Sequence, residues 1–85
     1  MKEDAANLQI RWELAPPCFG LGRTFMALAR KASNGPSSEY CREARRYLRC
    51  ASDNYMELQR HFKLPARQEA ELQEAEGGLG WCGRM

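Results

Sequence analysis

The placement of four cysteines constrains this 85-residue chain more than any other feature. They stand at positions 18, 41, 50 and 82, leaving gaps of 22, 8 and 31 residues. The run Cys41-Arg-Glu-Ala-Arg-Arg-Tyr-Leu-Arg-Cys50 is rich in helix formers, and Cys18 opens the preceding helical segment. Two cysteine-bearing helices joined by a turn predict an all-α fold, a disulfide-stapled helical hairpin. A chain this short buries little apolar core, so a covalent staple would help it fold. Four cysteines allow three pairings, and the residues alone leave these open, as they leave open four reduced thiols in a reducing compartment.

Around the cysteines the chain reads as helices separated by breaks. Residues 2–14 suit a short amphipathic helix with Leu8, Trp12 and Leu14 inward, ended at Ala15-Pro-Pro17 because proline fixes φ and lacks a donor. A helix over 18–32 follows, with Cys18, Leu21, Phe25 and Leu28 at helical spacing on one stripe. Gly20 and Gly22 cost it about 1 kcal/mol each relative to alanine, unless they let another backbone approach. Ser33-Asn-Gly-Pro36 is a stop and a turn. Ser37 or Ser38 can cap the next helix, with Glu39 in its first turn. That helix is predicted to run to Phe62 with Tyr40, Ala44, Tyr47, Leu48, Ala51, Tyr55, Leu58 and Phe62 inward. A short connection between such helices favours an antiparallel pair.

Leu64-Pro65 breaks the chain again. Residues 66–76 have high helix propensity but little apolar face, which predicts a solvated helix or a tail ordered only against a partner. Gly77-Gly78 would start a flexible end carrying Trp81 and Cys82. The expected organisation is an extension over 1–17, a hairpin over 18–62 and a second extension over 63–85.

The charge is uneven. Residues 19–63 hold nine Lys/Arg against four Asp/Glu, whereas the whole chain carries only +2. At about 100° per residue, Arg42, Arg45, Arg46 and Arg49 cluster opposite the tyrosine–leucine stripe. Such a face suits RNA phosphates, anionic lipid headgroups or an acidic neighbouring subunit, as well as plain solvation.

Catalysis is not indicated. The single histidine, His61, lies near a helix end with no nucleophile pattern beside it. Zinc sites favour close cysteine pairs, and the gaps here are long. Gly20-Leu-Gly22 lacks the strand and lysine of a phosphate loop. The expectation is therefore no catalytic residue, no metal and no cofactor. No segment is long and apolar enough to span a bilayer. Met1-Lys-Glu-Asp4 lacks the basic and apolar regions of a secretory signal and is acidic where a mitochondrial presequence is basic.

With these residues in place, the chain resembles the mitochondrial twin C-x9-C, or CHCH, family over about residues 18–60. Cys18 followed by Phe25-Met26 is similar to the first helix of CHCH assembly factors of cytochrome c oxidase. Cys41-Arg42, Tyr47-Leu48-Arg-Cys50 and Met56-Glu-Leu-Gln59 are similar to the second. The CHCH protein of the mitochondrial ribosomal small subunit has a similar layout, with an Asn-Gly-like turn. The resemblance implies an α-hairpin held by disulfides that an intermembrane-space oxidoreductase forms during import. It also implies a non-catalytic accessory subunit or assembly factor of a respiratory-chain complex, bound to other protein subunits. The alternative is a matrix ribosomal protein with its arginine face on rRNA. A copper-handling factor is disfavoured, because a family cysteine is missing.

Two departures qualify the likeness. The family's second cysteine falls at position 28, which is leucine, and the second pair has eight intervening residues rather than nine. In the family, outer cysteines pair with each other and inner ones do likewise. By that pattern Cys18 pairs with Cys50, a link that contributes roughly 3–4 kcal/mol in the chain-entropy model, and Cys41 loses its partner. A nine-residue step along a helix rotates about 900° and leaves Cys41 and Cys50 on opposite faces, whereas ten leave about 80° between them. Cys82, on a tail able to fold back, is then the expected partner of Cys41.

Overall fold

The computed structural model describes residues 5–83, which form three helices. Helix α1 spans Ala5–Lys31, α2 spans Glu39–His61 and α3 spans Ala66–Cys82, with a short 3-10 turn, Gly35–Ser37, between the first two. The molecule is a rod of 44 × 21 × 19 Å, close to the roughly 40 Å that a 27-residue helix occupies. Helices α1 and α2 form the expected antiparallel hairpin, and α3 folds back along α2.

The break at Ala15-Pro-Pro17 does not occur. Pro16 and Pro17 lie inside α1, which is continuous from 5 to 31. Residues 2–4 of the head helix expected over 2–14 fall outside the described residues. A proline inside a helix costs about 3 kcal/mol, through a missing hydrogen bond and a ring clash with the preceding turn. Here the two rings share one exposed turn, while Ala15 is fully buried and Phe19 nearly so. Burial on both sides of the prolines holds the axis together.

The apolar face of α1 is also turned from its expected position. The buried residues are Ala15, Phe19, Met26 and Ala29, with Gly22 among them. Cys18 and Phe25 are half-buried, and Leu21 and Leu28 are exposed. Phe19, Gly22, Met26 and Ala29 each lie one residue beyond the expected stripe, a rotation of about 100°. Small residues decide this. Leu48 of α2 fits against Gly22 so closely that a Cβ there would stand 2.5 Å from Leu48 Cδ2 and 3.0 Å from its backbone nitrogen. Gly22 therefore serves close approach, at the expense of helix propensity.

Helix α2 begins where expected. Ser38 is extended, and its Oγ accepts a hydrogen bond from the Cys41 amide at 3.3 Å. Glu39 opens the helix; Arg60 and His61 close it, as the helix dipole favours. Its inward face is Cys41, Ala44, Leu48, Ala51, Ser52, Asn54, Tyr55 and Leu58. Tyr40 and Phe62, expected inward, are exposed at the two ends of the helix. Gly35, at φ +46°, makes the turn between α1 and α2, a conformation that glycine tolerates best.

The largest correction concerns α3. Residues 66–82 form one helix seated on the chain's own core, in place of a solvated segment and a flexible end. Leu72, Ala75, Gly78 and Cys82 are buried at helical spacing, with Leu79 and Trp81 against the cluster. Gly78 lies inside this helix; a Cβ there would stand 2.6 Å from Leu48 Cδ1. Leu48 thus fills the space between a glycine of α1 and a glycine of α3. The pattern was thin because glycine and alanine carry the contact. They bury little area themselves but admit the leucine.

Candidate functional site

The two disulfides are Cys18–Cys50 and Cys41–Cys82, with Cα–Cα separations of 6.0 and 5.4 Å. Both pairings are the ones expected. The first ties α1 to α2, the second α2 to α3. Cys41 and Cys50 of one helix reach two different helices, as the nine-residue step requires. The cross-links therefore form a series through three helices; a twin-cysteine hairpin would carry both on one pair.

The two bridges sit in different surroundings. Cys41 and Cys82 are buried, and Cys82 Sγ rests 3.3 Å from Met26 Sδ of α1, so all three helices meet there. Cys18 and Cys50 are half-buried. Beside them, Asn54 Nδ2 donates to the Cys50 carbonyl at 2.8 Å, and Arg11 Nη1 donates to Asn54 Oδ1 at 3.1 Å. This satisfies the polar groups of the buried Asn54 and ties α1 to α2 a second time. Phe25 and Tyr47 stack across the same interface, with centroids 5.8 Å apart and planes 3° from parallel.

Arg42, Arg45, Arg46 and Arg49 are all exposed and surround a shallow hollow whose floor includes Cys50. No ion pair engages any of the four among the described residues. The basic face thus lies on α2 as the sequence indicates, and the expected Cys18–Cys50 link sets its Cys50 edge beside α1. On α1, Leu14 and Leu21 lie four before and three after Cys18, on the same side of the helix.

His61 is exposed at the end of α2, with Nε2 3.6 Å from Glu57 Oε1 and its ring tilted against Phe62. Among the described residues, no three His, Cys, Asp or Glu side chains converge as metal ligands would. No described helix is long and apolar enough to cross a membrane.

One buried titratable group stands out at the α2–α3 contact. The Tyr55 hydroxyl donates to Glu71 Oε1 at 2.6 Å. Burial, then that hydrogen bond and the nearby Glu71 charge, push the phenol well above its ordinary range, with Arg67 opposing. The tyrosine is a structural clasp between the helices.

No family model matches this chain, and no curated protein or solved structure matches it either.

Proposed function

We propose that this protein is a CHCH-like, non-catalytic accessory subunit or assembly factor of a mitochondrial respiratory-chain complex, acting at the intermembrane-space surface of the inner membrane. The observation that carries this reading is the helical hairpin closed by Cys18–Cys50, the pairing that the family resemblance implies. Two disulfides in a small helical domain suit an oxidising compartment, where an import oxidoreductase would form them. Because α3 is committed to the chain's own core, the working part is a rigid stapled wedge. Its outer faces, rather than a reaching tail, would meet neighbouring subunits.

Epitope-tagged protein should co-migrate with an inner-membrane complex after mitochondrial fractionation and native electrophoresis. Recovery only from a reducing compartment, or as a free monomer, would sink the reading.

A second reading rests on the four exposed arginines, which suit rRNA phosphates in the mitochondrial ribosomal small subunit. It predicts sedimentation with ribosomal particles and salt-sensitive RNA binding lost on charge reversal at those positions.

A further inference from the structure

The outer surface of α1 is apolar in a way that its own core does not require. Ile10, Leu14, Leu21 and Leu28 are 49, 47, 46 and 38% exposed. Leu14, Leu21 and Leu28 recur at intervals of seven, stepping about 10 Å along one side of the helix. Residues 14–22 contain no charged side chain, although Leu14, Pro16, Pro17, Gly20 and Leu21 all face outward. Adjacent to this stripe runs the arginine row of α2. The link is covalent, because Cys18, between Leu14 and Leu21, is bonded to Cys50, which lies among Arg42, Arg45, Arg46 and Arg49.

We infer that this composite face, the leucine stripe of α1 edged by the arginines of α2, is the seat of an acidic amphipathic helix from a partner protein. A seven-residue apolar repeat along one continuous helix is the pattern of one helix meeting another side by side. The unpaired arginines lie along one edge only, so the complement is a helix with an apolar stripe flanked on one side by Asp or Glu. The same observations disfavour other occupants. RNA would gain nothing from the leucines, and the nearest aromatics, Phe25 and Tyr47, are stacked on each other. A lipid surface is best met by amphipathic aromatics and basic groups around the apolar face, whereas Trp12 and Trp81 lie against the core.

The inference names the partner chemistry of the accessory-subunit reading and rests on it. A photo-crosslinking residue placed at Leu21, and separately at Leu28, tests it in mitochondria. Both should crosslink to a helix-forming segment bearing heptad-spaced apolar residues and an acidic edge, identified by mass spectrometry. The paired reversal R42E/R46E should lower that yield about tenfold, while circular dichroism shows the fold retained. A probe at Gln73, exposed on α3, should not give the same product.

Crosslinks to lipid, to RNA or to a non-acidic segment would overturn the inference. So would the absence of any crosslink from both positions while the tagged protein still co-migrates with its complex, a result that leaves the accessory-subunit reading standing. Failure to co-migrate with any inner-membrane complex sinks that broader reading and this one with it. Vesicles of phosphatidylcholine with cardiolipin serve as a direct check: no binding at physiological salt is expected, and binding reversed by R42E/R46E would count for a membrane occupant instead.

Discussion

The two helix–helix contacts of this molecule solve the same problem by different means. Between α2 and α3 the contact is closed: a buried disulfide against Met26 of α1, Leu48 fitted beside Gly78, and a part-buried tyrosine–glutamate bond. Between α1 and α2 it is partly open, with a half-buried disulfide, an Arg11–Asn54 tie and a stacked aromatic pair near the surface. The short apolar span of α3 explains the difference. It offers few large side chains, so its attachment depends on sulfur and on shape. Helix α1 has apolar residues to spare and leaves some of them outside.

The largest expected effect comes from breaking the cross-links. The two bridges close comparable sequence separations, 32 and 41 residues, so chain entropy values each at about 4 kcal/mol. Removal of Cys41–Cys82 as C41S/C82S should nevertheless cost more, because it also places two hydroxyls in an apolar interior. Urea denaturation of the two double variants would rank them. Graded reduction, read by alkylation and mass spectrometry, should open Cys18–Cys50 first. It is the accessible bridge, and the arginines around Cys50 favour its thiolate as a leaving group. Simultaneous opening would erase the distinction between the contacts.

The next effect concerns the leucine clamp. Gly22→Ala should destabilise by about 1–3 kcal/mol despite the gain in helix propensity, because the new Cβ meets Leu48's backbone as well as its side chain. Gly78→Ala meets mainly the movable tip of Leu48 and should cost less. Thermal unfolding of both variants checks the order; equal losses would mean that the two contacts are equally rigid.

Tyr55→Phe should lose about 1 kcal/mol at neutral pH through the bond to Glu71. Its pH dependence sharpens the point. A phenol whose pKa is raised on folding holds its proton longer in the native state. That contribution is complete below the unfolded value of about 10 and is lost as pH rises above it. The wild type should therefore weaken in alkali more steeply than Tyr55→Phe. Parallel pH–stability curves would remove Tyr55 from the account.

The smallest effect is a gain. Gly77 and Gly80 lie in α3 with open space where a Cβ would stand. Alanine at each should stabilise by up to about 1 kcal/mol, seen as a small rise in Tm. No rise would mean that α3 is limited by its docking rather than by its propensity.

The hairpin was legible because its signals are local: the Asn-Gly-Pro turn, the Ser38 cap and a long regular stripe on α2. The arginine face was legible for the same reason, since four positions on one helix need only its period. The continuous α1 and the docked α3 were not. Pro16-Pro17 and Gly77-Gly78 are strong local breakers, and what overrides them is burial of Ala15 and Phe19 in one case and of Leu72, Ala75, Gly78 and Cys82 in the other. Which side of α1 turned inward was equally hidden. The leucines have the greater hydrophobicity, but Gly22 and Ala29 allow the closer fit.

By itself, then, the sequence determined a helical chain, its main turn, its basic face and the opposed directions of Cys41 and Cys50, because each follows from the helix period and short-range stereochemistry. Tertiary structure decided that the cysteine directions meet two different helices, that a glycine-bearing tail becomes the third of them, and that a leucine stripe stays outside beside the arginines. Those outcomes depend on which surfaces fit most closely, and shape complementarity exists only between segments already brought together.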